Sequence, residues 1–265
     1  MVLRRRAVVY EATSYSSHRR LVDIVAYRCS AACELEPEEM ALLRTHDMMQ
    51  NIIDEVGAKE YKAFLSGPNN FRYRINPDYK ANRKNKEKPK YLQACRDYLV
   101  REWNAEICDG YEADDALGMD QDKEGNEEGS YATVICSIDK DLLMIPGFHY
   151  NFVKKEFLTI SNLEGMKHYY KQMLIGDPVD NIFGVKGIGK VKAARLIDHL
   201  DNARDMYLVV STLYDDRDRF HMNSDCLWIK QDKDLENFDL YWDEEDEGDL
   251  YVNEVHEEDE EDETH

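Results

Sequence analysis

The sequence predicts an α/β fold with a central, mostly parallel sheet and a helical C-terminal region. Two observations carry this. Up to about residue 160, stretches of helical apolar periodicity alternate with short β-rich runs. From there to about Asp215 the pattern is helical, with turns at Gly176 and through Gly184-Val185-Lys186-Gly187-Ile188-Gly189.

Leu21 to Leu35 and Glu38 to Val56 read as helices, the second with Met40, Leu43, Met48, Ile52 and Ile53 on one side. Tyr61 to Leu65 reads as a short strand. A basic stretch broken by Pro77 and Pro89 follows, then a helix from Lys90 to Trp103. Ala105 to Cys108 is a strand, Tyr111 to Asp120 a helix, and Asp122 to Ser130 a polar loop. Tyr131 to Ser137 (YATVICS) is the clearest buried strand, and His149 to Ile160 reads as a hairpin.

With 265 residues, 43% of them hydrophobic, the chain can bury one sizeable core or one core plus a small helical region. It has no apolar run of membrane-spanning length, and the stretch after Arg4-Arg5-Arg6 is too short and polar for a secretory signal. Six scattered cysteines without a C-x-x-C pair fit reduced thiols in a cytoplasmic protein. A net charge of −21 argues superficially against nucleic acid. Yet residues 243–265 hold fourteen Asp/Glu and no Lys/Arg, which leaves −7 for the rest. Between Phe71 and Lys90, eight Lys/Arg face only Asp78 and Glu87. A local positive field, not the overall sum, is what binds phosphate. The acidic tail reads as a solvated, disordered segment, with an internal DNA mimic as the second reading.

Three carboxylate clusters lie at element ends. Glu112, Asp114 and Asp115 stand in GYEADDALG, where a helix start puts Glu112 and Asp115 on one face. Asp139 and Asp141 directly follow the strong strand, at the end where ligands collect in open α/β sheets. Asp177 and Asp180 stand in IGDPVDNIFG. Each cluster alone also suits helix N-capping or a solvated face. Brought together, seven acids need a cation among them, and an all-oxygen donor set suits Mg²⁺ or Mn²⁺ over zinc. The glycine turn opens a helix between Lys186, Lys190 and Lys192, and Gly184, Gly187 and Gly189 allow close approach of a phosphate to free N–H groups. This is a helix-hairpin-helix signature, which grips duplex backbone without reading sequence; the G-K-[ST] ending of a Walker loop is missing.

The four runs FRYRINPDYKANR, GYEADDALG, CSIDKDLLMI and IGDPVDNIFGVKGIGKVKAA occur in the order found in the bacteriophage and bacterial 5′-3′ exonuclease/flap endonuclease family, which the chain resembles from about Phe71 to Leu200. The resemblance implies a PIN-like nuclease core over residues 1–160, with a helical arch at about 71–103. It further implies a helix-hairpin-helix DNA-binding region over 161–242. It assigns Glu112, Asp114 and Asp115 to a first metal ion, and Asp139, Asp141, Asp177 and Asp180 mainly to a second. Arg72, Lys80 and Arg83 match the family's basic residues at the base of the arch, where the scissile phosphate passes. Tyr79 beside them is a candidate to stack on a base. A K⁺ ion at the glycine turn, a monomeric state and a phage replication role in a host cytoplasm belong to the same resemblance.

Two positions depart from the family pattern. The aspartate expected at the end of the first strand falls on Leu21, with Asp23 two residues later. Residues 16–20 are poor material for that buried strand, and Ala7 to Tyr10 (AVVY) is the alternative. A second acid, ahead of Asn70-Phe71-Arg72, falls on Gly67. The expected activity is metal-dependent cleavage of DNA with free 5′ ends or flaps. The alternative is a catalytically impaired junction-binding protein of the same fold. An RNA-cleaving PIN-like toxin fits the acids but not the glycine turn.

Overall fold

The computed structural model describes residues 19–21, 24–84, 86–121 and 133–231. Its main sheet is built from β1 (Arg19–Leu21), β2 (Lys62–Ser66), β3 (Glu106–Cys108), β4 (Val134–Cys136), β5 (Gly147–Asn151) and β6 (Glu156–Ile160). Their spatial order is β3-β2-β1-β4-β5-β6, parallel throughout except for β6, which returns antiparallel along β5. The chain winds outward in both directions from β1, so the β1/β4 boundary is a topological switch point. The strand ends there open onto a single edge.

β1 is the element that local sequence argued against. Arg20 pairs with Lys62 on one side and Ile135 on the other, so neighbours on both flanks impose the strand. The alternative at Ala7 to Tyr10 lies outside the described residues, as do the 122–130 loop, the acidic tail and Asp23. Leu21 ends β1 rather than starting a helix, and α1 (Ile24–Ala31) begins after it.

Period-two alternation divides the core between the sheet's two faces. Ala63, Leu65, Val134 and Cys136 face one layer, made by α1, α2 (Glu38–Val56) and α4 (Leu92–Trp103) through Val25, Met49, Ile52, Cys95 and Leu99. Phe64 and Ile135 face the other, which includes α5 (Ala113–Asp120) and α6 (Asn162–Ile175). Against that second layer pack α7 (Lys190–Ile197), α8 (Ala203–Leu213) and α9 (Arg217–Leu227). Helix ends are set by side chains as the sequence allows. Ser161 and Glu164 form a capping box on α6, Asn202 accepts from the Asp205 amide at 2.9 Å, and Gly57 closes α2 at φ 67°.

The basic stretch at 71–103 carries α3 (Arg72–Ile75), a 3-10 turn at Ala81–Arg83, and α4. A two-stranded hairpin of β7 (Gly176–Asp177) and β8 (Ile182–Phe183) links α6 to the glycine turn and α7. Helix α9 lies within the helical region expected over 161–242 but beyond Asp215, where the helical pattern read from the sequence ends. It buries Asn223 and Ser224 as well as Phe220, Cys226 and Leu227, so its packed face lacks an apolar stripe. All six cysteines are free and buried, and among the described residues no helix is long and apolar enough to cross a membrane.

Candidate active site

The site forms at the strand-end edge from four chain segments. Glu112 and Asp114 enter at the start of α5, behind β3. Asp139 and Asp141 follow β4, where the Asp139 amide donates to Ser137 Oγ at 3.0 Å and the Asp141 amide to Asp139 Oδ1 at 3.0 Å. Asp177 and Asp180 sit on the β7–β8 turn, with the Val179 amide donating to Asp177 Oδ1 at 2.9 Å. The fourth segment is basic, Tyr79 to Arg83.

Electrostatics ties these acids into one group. Burial pushes the Asp114 carboxyl well above the usual carboxylate range, and the charges of Asp139 and Glu112 add to it. Burial also raises Asp141 to about 7, with Asp139, Asp177 and Asp180 contributing. Asp139 therefore bridges the Asp114 side and the Asp141 side of the cluster. Six carboxylates from GYEADDALG, CSIDKDLLMI and IGDPVDNIFG thus meet.

Cationic side chains lie among them. The Lys80 ammonium pairs with Glu112 and stands 3.5 Å from Asp180 Oδ2, while Arg83 pairs with Asp180 at 2.5 Å. Burial would lower the Lys80 pKa, but Glu112 and Asp180 outweigh it and raise it. Lys80 adopts a left-handed φ of 55°, unusual for a side-chain-bearing residue, and its amide donates to the Asp180 carbonyl at 2.9 Å. A seam of further bonds follows: Asn82 to the Pro178 carbonyl at 2.7 Å, Arg83 Nε to the Val179 carbonyl at 3.0 Å, and Asn181 to the Asp78 carbonyl at 2.9 Å. Sequence reasoning missed Asn82 and Asn181; their placement depends on a contact between segments about a hundred residues apart.

Three residues with expected roles make other contacts in this structure. Arg72 was expected beside the scissile phosphate, but it is buried. Its guanidinium grips Asp115 in a two-point pair at 2.6 and 2.8 Å and donates to the carbonyls of Cys226 and Trp228 at 2.8 and 2.6 Å. Asp115 was expected to ligate the first metal, but its oxygens are engaged. Besides Arg72, Oδ2 accepts from the Glu112 amide at 2.9 Å and Oδ1 from the Lys230 amide at 3.0 Å. Burial would raise Asp115, but Arg72 holds it below the usual range. The E-x-x-D spacing was the available signal, because a residue at the third helical position commonly reaches back to its own N-cap amide. Tyr79 was expected to stack on a base, but its ring is buried. Its hydroxyl lies 3.0 Å from Glu112 Oε2 and 2.9 Å from Asp180 Oδ2, with one proton to donate between them. Burial and the Glu112 charge keep that phenol protonated.

Gly67 follows β2 where a Cβ would stand 2.1 Å from the Cys108 carbonyl oxygen, so the backbone excludes any side chain there. At the glycine turn, Gly187 has φ 78° and Gly189 caps α7, while Lys186, Lys190 and Lys192 are exposed.

The chemistry of this donor set fits a hard divalent cation, since Glu112, Asp114, Asp139, Asp141, Asp177 and Asp180 offer only oxygen. Burial raises both Asp114 and Asp141, and the Asp139 charge adds to each, as expected where carboxylates crowd without a cation. Among the described residues, however, no three such side chains stand in metal-holding geometry, and Glu112 and Asp180 are taken up by Tyr79, Lys80 and Arg83.

Sheet order, switch-point acids and helical C-terminal region together define a PIN-like 5′ nuclease fold. Residues 34–171, more than half of the chain, match the model of the 5′-3′ exonuclease N-terminal resolvase-like domain, and the chain belongs to that family. It is 34% identical over 110 residues to DNA polymerase I of Borreliella burgdorferi, a match covering 37% of this chain and 12% of that polymerase. Among solved structures it is similar to the bacteriophage T5 5′-exonuclease with zinc bound, at TM-score 0.54 and 17% identity, over 78% of this chain and 84% of that one. It is also similar to a pseudo-enzyme–product complex of the phage T5 flap endonuclease with DNA and metal ions, at TM-score 0.52 and 16% identity, again over 78% and 84%.

Proposed function

We propose that this protein is a divalent-metal-dependent 5′ nuclease that hydrolyses phosphodiester bonds of DNA at free 5′ ends or flaps. The observation that carries the reading is the convergence of six carboxylates, coupled through Asp139, at the switch-point edge beside Lys80 and Arg83. Glu112 and Asp114 are the residues to hold a first Mg²⁺ or Mn²⁺, and Asp139, Asp141, Asp177 and Asp180 a second. When bound, such ions supply Lewis acidity to both the attacking and the leaving oxygen of a phosphodiester.

The chain's own groups do the rest. Lys80 and Arg83 give up carboxylate partners to neutralise the phosphate, Lys80 from a partly buried position where charge counts for more than in water and Arg83 from an exposed one. Tyr79 keeps Glu112 and Asp180 at a fixed separation. Arg72 and Asp115 hold the start of α5 in place without touching substrate. The glycine turn and its lysines take the duplex backbone on one side of the junction, which gives selectivity for structure without base readout. A K⁺ ion at that turn belongs to the same proposal.

A gel assay of a 5′-labelled flap substrate in Mg²⁺, in Mn²⁺ and in EDTA tests this. The expected result is product in either metal and none in EDTA. Binding without cleavage in any metal would replace the enzyme with the junction-binding alternative, for which Leu21 and the closed-off Gly67 are the structural motive.

A further inference from the structure

We infer that Phe183 is a stacking platform for a nucleobase of the bound DNA, an inference that rests on the nuclease reading above. Phe183 lies between the acids and the glycine turn, three residues after Asp180 and directly before Gly184. In β8, Ile182 points into the core and Phe183 outward, leaving it 66% exposed. A single exposed aromatic residue needs no explanation by itself. Three features set this one apart.

The first is rigidity of its backbone. Phe183 pairs with Gly176 across the hairpin, and its carbonyl accepts from Nδ2 of the buried Asn223 at 2.9 Å. The hairpin is packed so closely that a Cβ on Gly176 would stand 2.3 Å from the Gly184 amide nitrogen, and one on Gly184 would stand 2.4 Å from the Leu174 carbonyl oxygen. The ring is therefore presented from a fixed base. The second feature is that the same stretch of chain exposes two further apolar side chains. Val179 at the hairpin tip is 57% exposed and Val191 in the first turn of α7 is 69% exposed. The third is charge, since Lys186, Lys190 and Lys192 are exposed on the same turn and first helical turn.

Exposed apolar side chains interleaved with lysines suit a ligand whose faces are flat and apolar and whose linker is anionic. Nucleic acid with an unstacked base, in a single strand or at a junction, meets both requirements. Phe183 stands three residues from Asp180 and directly before Gly184, which joins it covalently to both the acid-bearing hairpin and the glycine turn that a bound strand would engage. Base–aromatic stacking contributes about 1–3 kcal/mol per base, or roughly fivefold to a hundredfold in affinity.

The test uses 5′-flap DNA carrying 2-aminopurine in turn at each nucleotide flanking the junction, in EDTA at fixed salt. With wild type, one position should show quenched fluorescence. Phe183→Ala should lose that quench and bind at least about fivefold more weakly, with an unchanged melting temperature because the ring is exposed. Phe183→Trp should retain both quench and affinity. Wild-type-like binding by Phe183→Ala, or equal loss in Phe183→Ala and Phe183→Trp, overturns the inference while leaving the nuclease reading intact. Failure of the wild-type chain to bind flap DNA would overturn both.

Discussion

Arg72 and Asp115 form a buried two-point ion pair at 2.6 and 2.8 Å that ties α3 to α5, and the same guanidinium and carboxylate also take backbone partners from the 226–230 segment. Three pieces of chain distant in sequence are held by one pair. Removing one partner leaves an uncompensated buried charge. Arg72→Ala and Asp115→Ala should each destabilise the fold by about 3–5 kcal/mol, with Arg72→Lys also costly because an ammonium cannot make the fork. The Arg72→Met/Asp115→Leu double variant should recover only part of the loss, because the Cys226 and Trp228 carbonyls and the Glu112 and Lys230 amides lose their partners. Urea denaturation measures this, and a near-neutral Arg72→Ala would return Arg72 to the substrate-contacting role.

That pair also marks where the sequence stopped being legible. Strand β4 was readable because a run of apolar residues bounded by polar ones has few other homes, and the acids behind it followed from sheet topology. Helix α2 was readable from its stripe. Arg72 was not, because within a run of eight cations nothing local separates one that is buried from those that remain available to phosphate. Its partners arrive from Cys226 and Trp228, at the end of a helix whose buried Asn223 and Ser224 conceal its periodicity. β1 was doubted for a related reason: Arg19 and Arg20 are strand residues only because β2 and β4 pair with them from both sides.

Restoring the family acid at Gly67 should fail. With a Cβ 2.1 Å from the Cys108 carbonyl, both Gly67→Ala and Gly67→Asp force the β2 and β3 ends apart. Each is expected to lower stability by about 1–3 kcal/mol, and Gly67→Asp should bring no gain in cleavage rate. Thermal melts paired with the flap assay check both parts.

His149 gives the fold an acid limit. Burial holds its imidazole down at about 4 against an ordinary 6.5, and its Nε2 donates to the Ile145 carbonyl at 2.8 Å. As pH falls below 6.5 the unfolded chain takes up the proton first. This contribution is therefore complete above 6.5 and lost as pH falls through about 4. It amounts to roughly 3 kcal/mol. Stability measured from pH 7 to 4 should fall more steeply for wild type than for His149→Gln, while the acids titrate alike in both; parallel curves would contradict the assignment.

The glycine-turn lysines should act through phosphate alone. Alanine at Lys186, Lys190 and Lys192, singly and then together, should weaken DNA binding equally across sequences. Each should reduce the slope of log affinity against log salt by about 0.9. An unchanged slope in the triple variant would remove the turn from the interface.

The central claim is that the acid cluster acts through metal and not by holding DNA. It is tested most directly by the Asp139→Asn/Asp141→Asn variant, followed by cleavage, flap affinity in EDTA, and melting temperature with and without Mg²⁺ at pH 8. Asp141, raised to about 7, carries a stability penalty that grows as pH rises through that value, so the metal-free variant should melt higher than metal-free wild type. Mg²⁺ should raise the melting temperature of wild type more than that of the variant, which keeps Glu112 and Asp114 but loses two donors of the second site. Cleavage should be abolished, with flap affinity kept within about threefold, well under 1 kcal/mol. Retained cleavage, or loss of flap binding in EDTA, would contradict the account.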